Sequence, residues 1–232
     1  MDPAAIQAGS APQAQKLGRT VLLLCGVFAA VVYVGGDILT AMLWQDYSYA
    51  HQTISELMAI GAPTRLVLVV LFSFFDALTI AFGVGVWASA DGKRSLRIVG
   101  ILLIVWAVVG WAGLISMPMH QRGAGVSATD VLHIADAAAI VLLILLSIGF
   151  GAAALGKGFR IYSIATIVIL LVFGALTAQQ GPRIAANLPT PWIGIEERVN
   201  VYVSMLWIVV LAIALLRAQP GTGANRPKVT KG

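Results

Sequence analysis

Three histidines and a handful of acids carry most of the chemical potential of this 232-residue chain: His51, His120, His133, Glu56, Asp37, Asp76 and Asp136. Neutral imidazole and carboxylate are zinc ligands, and a catalytic zinc takes about three of them plus an open position for water. His120 and His133 with one of Asp136, Asp76 or Glu56 would make such a set, and zinc is the cofactor this reading expects. There is no HExxH or CxxC spacing, so residue type alone points to it. Glu56 would then act as general base, with Ser55 beside it as a second catalytic candidate. Arg198 and His51 would meet an anionic head group, Arg198 through its planar fork. The alternative chemistry is proton coupling through Asp37, Asp76 and His133. The plain alternative is that these groups bond to one another and stitch helices together.

The elements that must position them are membrane spans. The chain is 59% hydrophobic and only 11% charged, against about 25% charged in soluble domains, and its mean hydropathy is +0.91. Continuous apolar runs without in/out alternation indicate helices rather than barrel strands. Six runs reach the ~20 residues a span requires: 20–43, 66–88, 97–117, 131–155, 160–178 and 200–217. The fold class expected is all-α, a bundle of six transmembrane helices. Residues 1–19 and 218–232, rich in Ala, Gly, Pro and Gln, read as disordered tails. With the N-terminus placed inside, eleven of the fifteen Lys and Arg fall inside, and Arg65, Arg122, Arg183 and Arg198 fall outside. The positive-inside rule then predicts both termini in the cytoplasm of a bacterial plasma membrane. The net charge of +5 is read as this orientation signal, not as nucleic-acid binding. No GxxxxGK[ST] loop is present, so no nucleotide partner is expected. The expected partner is the bilayer, with a lipid or other amphiphile as substrate.

In this topology all three histidines lie on the outer side, where the loops are long. Asp76 falls roughly 15 Å down its helix at 1.5 Å per residue, near the midplane. His133 and Asp136 are three residues apart and share a helix face. Ser73, Asp76 and Thr79 form one polar stripe, and Tyr33, Asp37 and Thr40 another. Together they outline a funnel that opens outward. In the first outer loop, Thr53-Ile-Ser-Glu56 matches a capping box, with Gly61 as a stop and Pro63 blocking continuation. It predicts one or two helical turns lying on the outer membrane surface.

The run YSYAHQTISELMAIGAPTR resembles a signature of an uncharacterised bacterial and archaeal membrane family, domain of unknown function 998. Three further stretches are similar: SMPMH at the end of the third span, DVLHIADA opening the fourth, and GIEERVNVY entering the last. In SMPMH the family more often has a proline followed by an acid, and His120 stands there instead. The resemblance implies a six-helix membrane domain and makes Ser55, Glu56, His133 and Arg198 shared outward-facing polar positions. It carries no activity with it. Three functions stay open on the residues: a hydrolase of a lipid or amphiphile, metal-dependent in the zinc reading; a proton-coupled carrier or binding protein; and a non-catalytic scaffold.

Overall fold

A computed structural model describes residues 3–218 of the chain, with side chains from residue 13 onward. Except for Ala218, the tail expected over 218–232 lies outside the described residues. Among the described residues, six helices are long and apolar enough to cross a membrane. They are α1 (Pro3–Leu43, apolar from Gln13), α2 (Arg65–Ala88), α3 (Arg94–Ser116), α4 (Ala128–Ala154), α5 (Lys157–Gln179) and α7 (Ile193–Ala218), with a short α6 (Gly181–Ala185) between the last two. The chain is a multi-pass membrane protein of all-α class.

Several helices begin before their apolar runs, because polar residues close the first turn. In α4 the Ser127 hydroxyl accepts from Asp130 N–H at 3.3 Å, and Asp130 accepts from Ser127 N–H at 2.8 Å. That reciprocal cap satisfies N–H groups which would otherwise be orphaned at a membrane-facing helix end. In α7 the polar opening GIEERVN is also helical, and its arginine turns inward.

Each span packs on the next, and α7 packs back on α1, so the six close into a ring. Where α2 meets α3, a Cβ on Gly83 would stand 2.8 Å from the Gly100 carbonyl oxygen, and one on Gly100 would stand 2.7 Å from that of Gly83. Two backbones approach this closely only across small residues, and such contact holds helices together in lipid, where hydrophobic exclusion is weak. One end of the ring has short connections, 89–93 and 155–156. The other carries the long segments 44–64, 117–127 and 180–192, which are tied to one another. Ile60 N–H donates to Met119 O at 2.8 Å, Thr190 Oγ1 to His51 O at 2.9 Å, and Gly194 N–H to Ala50 O at 3.1 Å.

The capping box of the first long loop forms, but as a single 3-10 turn over Ile54–Met58. It does not lie on the surface: Ile54 and Leu57 join Tyr47, Leu68 and Phe72 in a small apolar cluster. Glu56 reaches back to Thr53 N–H at 2.8 Å, and Glu197 accepts from Ile54 N–H at 2.5 Å. At the other end Thr64 Oγ1 and Arg65 Nη1 donate to the carbonyls of Leu57 and Met58. Gly61 makes the exit with φ of +91°, a conformation that costs glycine little. With its backbone groups met this way, the turn is buried without leaving those ends unpaired.

Candidate functional site

The long-loop end contains two polar constructions of different kinds. The deeper one is centred on Arg198, 2% exposed, and Asp37, fully buried. Arg198 Nε and Nη2 donate to the two oxygens of Asp37 at 2.9 and 2.8 Å. Nη2 also donates to Tyr47 Oη at 2.7 Å, and Nη1 reaches the carbonyls of Tyr49, Gln52 and Gly194 at 2.8 to 3.2 Å. All five N–H donors therefore meet acceptors within the fold. The guanidinium lies 3.6 Å from the Tyr49 ring centre, and Tyr202 donates to Asp37 Oδ2 at 2.6 Å. Burial pushes the Tyr47 phenol well above its ordinary value, against the pull of Arg198. The protonated phenol donates onward to Thr53 O at 2.8 Å. Gly194 is required here, since a Cβ would collide with the Tyr49 and Gln52 carbonyl oxygens. Arg198 and Asp37, expected as a head-group contact and a proton carrier, form a knot that ties the first loop to α1 and α7. Arg198 has no donor left over for a head group.

Glu56 is the second anchor. It is 2% exposed, and both its oxygens are held by Arg122, whose Nη2 donates to Oε2 at 2.8 Å and whose Nε donates to Oε1. With Thr53 also donating, the carboxylate is occupied on every side. It clamps the 117–127 loop onto the 3-10 turn. Sequence reasoning missed Arg122 as a site residue, counting it only as a loop charge. Its partner lies 66 positions away, and no local motif links the two.

The second construction joins the 3-10 turn to α4. His133 Nδ1 is 3.1 Å from the Met117 carbonyl, and His133 Nε2 is 3.2 Å from Ser55 Oγ. A carbonyl only accepts, so Nδ1 carries the proton and Nε2 presents its lone pair. Ser55 then donates its hydroxyl hydrogen to Nε2. Both residues are half-buried. A small cavity lined by Met58, Leu114, Met117, Pro118, Met119 and His133 opens beside the ring. The Ser55 backbone N–H has no acceptor among the described residues. Nucleophile, base and orienting acceptor stand in the order that serine acyl transfer uses. Residue type and spacing single out both residues, but set Ser55 beside Glu56 and His133 among metal ligands or proton carriers.

His120 is engaged elsewhere. Its N–H donates to Asp130 Oδ1 at 2.7 Å, and its ring lies 3.2 Å from Oδ2. It serves the cap of α4. Asp136 packs against Gly113 of α3, where a Cβ would collide with its carboxylate, and Asp76 packs 3.5 Å from a Cβ position on Gly110. The two acids, from α4 and α2, thus flank a small-residue face of α3. Neither has a hydrogen-bond partner among the described residues. No three of His, Cys, Asp and Glu gather into a set able to hold a metal ion among the described residues. His51 is exposed; its Nδ1 accepts from Trp192 N–H at 3.1 Å.

A family profile described as Protein of unknown function (DUF998) matches residues 27–214, a span that contains every site residue above. The chain belongs to that family. No curated protein and no solved structure matches it.

Proposed function

We propose that this DUF998 member is a membrane-embedded hydrolase of an amphiphilic acyl ester, with Ser55 as nucleophile and His133 as general base. The observation that carries the reading is the Ser55 Oγ–His133 Nε2 contact of 3.2 Å, with the tautomer fixed from behind by Met117 O at 3.1 Å. Ser55 Oγ attacks the acyl carbonyl as its proton passes to Nε2. The imidazolium returns that proton to the departing alcohol, and water then cleaves the acyl-serine by the same route in reverse. Asp136, one turn further along α4 and within electrostatic reach of His133, is the acid available to offset the imidazolium. The free Ser55 N–H supplies one donor for the oxyanion. The excess of Lys and Arg at the opposite end supports an outward-facing site, by the positive-inside rule.

The test is turnover of a fluorogenic long-chain acyl ester in mixed micelles by the purified chain. Ser55→Ala and His133→Ala should each lower turnover by about a hundred-fold or more, the scale of a lost general base. Undiminished turnover in Ser55→Ala, or none in the folded wild type across acyl lengths, removes the reading.

One observation favours a second reading, a proton-coupled carrier. Asp76 is 4% exposed, lacks a hydrogen-bond partner among the described residues, and packs against the same Gly110–Gly113 face of α3 as Asp136. An ionisable group held this way in a span is costly unless it serves a passage. Proton-linked flux into vesicles that survives Asp76→Asn would dispose of it.

A further inference from the structure

The loops of the long-loop end leave an open cleft of about 400 Å³, bounded by His51, Gln52, Arg122, Arg183 and the wall Pro189–Thr190–Pro191. Its polar side chains are mostly donors. The Gln52 side-chain oxygen is spent on Ser48 N–H at 2.7 Å. Arg183 spends Nε on Pro189 O at 2.7 Å, and its two terminal amino groups have no partner among the described residues. Arg122 uses Nε and Nη2 on Glu56 and the His51 carbonyl, and its Nη1 has no partner among the described residues. His51 accepts at Nδ1 from Trp192 N–H, so the neutral ring carries its proton on Nε2 as a further donor. No carboxylate lines the cleft among the described residues. Glu56 neutralises Arg122 from behind, whereas Arg183 forms no ion pair among the described residues. The cleft therefore keeps a net positive charge.

The walls are also fixed. Two prolines restrict the backbone on one side, and Thr190 Oγ1 pins that side to His51 O at 2.9 Å. Arg122, held by two bonds to a buried carboxylate, is set in orientation. A preformed group of arginine and imidazole N–H donors, with no carboxylate lining the cleft among the described residues, suits a tetrahedral oxyanion. Arginine forks match phosphate oxygens two at a time. Glu56, bonded to Arg122 of the cleft, belongs to the 3-10 turn that carries Ser55.

We propose that the cleft binds a phosphate group, and that the ligand is the phosphate head of the amphiphile cleaved at Ser55. The second half of that statement rests on the hydrolase reading; the binding itself does not.

The test titrates the full-length chain in neutral detergent with three probes: short-chain phosphatidylglycerol, short-chain diacylglycerol and inorganic phosphate. Wild type and Arg183→Gln are compared by calorimetry. Arg183 is exposed and its substitution leaves the buried ion pairs intact, so the variant should fold. Expected is saturable phosphatidylglycerol binding, weakened about ten-fold or more in Arg183→Gln and by added salt, with no comparable binding of diacylglycerol. Inorganic phosphate that binds with the same Arg183 dependence identifies a site for phosphate itself; phosphate that fails where the lipid succeeds identifies a head-group site. Binding of neither phosphate probe, or binding indifferent to Arg183→Gln, overturns the proposal. Ser55 reactivity is a separate readout: if it fails while Arg183-dependent binding stands, the hydrolase is wrong and the phosphate site is right.

Discussion

The Arg198–Asp37 knot and the Ser55–His133 pair lie under the same loops, yet they are built on opposite plans. The knot is sealed. Five donors meet acceptors, the Asp37 oxygens take two arginine bonds and a tyrosine, and neither residue is more than 2% exposed. The pair is sparse. One hydroxyl meets one imidazole nitrogen, the residues are half-buried, and the Ser55 backbone N–H meets no acceptor among the described residues. A saturated buried ion pair has no valence left for a ligand, and removing either partner strands a charge. A single serine–imidazole bond contributes little to folding and leaves both atoms able to react. Charge at a membrane end is therefore a poor guide to chemistry in this chain; spare hydrogen-bonding capacity is a better one.

Substitutions can break or sharpen that contrast. Arg198→Ala should be the most damaging, at about 3–5 kcal/mol, because it leaves Asp37 charged and buried. Thermal unfolding in detergent reads this, and an Arg198→Ala chain as stable as wild type would mean the knot is not structural. Tyr202→Phe removes the 2.6 Å bond to Asp37 and should cost about 1.5–3 kcal/mol, the range for a hydrogen bond to a charged group. Gly194→Ala places a methyl against two carbonyl oxygens and should cost about 1–3 kcal/mol. If it costs nothing, the loop yields where it is described as clamped. Ser55→Ala should change stability by no more than about 1 kcal/mol while abolishing turnover. A large stability loss there would make Ser55 part of the scaffold and erase the contrast.

The spans were legible because a membrane demands ~20 apolar residues in a row, a signal that needs no tertiary context. The capping box at Thr53–Glu56 was legible for the same reason, being local. The burial of that turn was not, since it depends on Glu197 and Arg122, which meet it from 143 and 66 positions away. Tyr202 and Asp37, 165 apart, were beyond any periodicity. The pattern of His133 and Asp136 on one face of α4 was read from spacing, but spacing could not say that Ser55 would meet His133. Reading His120 as a partner of His133 followed residue type. The fold sends His120 to Asp130, whose local cap is visible in the sequence as Ser127-Ala-Thr-Asp130.

The central claim is that His133 activates Ser55. The most direct measurement is covalent labelling of the folded chain in detergent with a lipophilic fluorophosphonate, the modified residue located by peptide mass spectrometry. Labelling confined to Ser55, slowed by about a hundred-fold or more in His133→Ala at unchanged thermal stability, is the predicted result. A folded wild-type chain whose Ser55 stays unmodified, or is modified equally fast without His133, would contradict it.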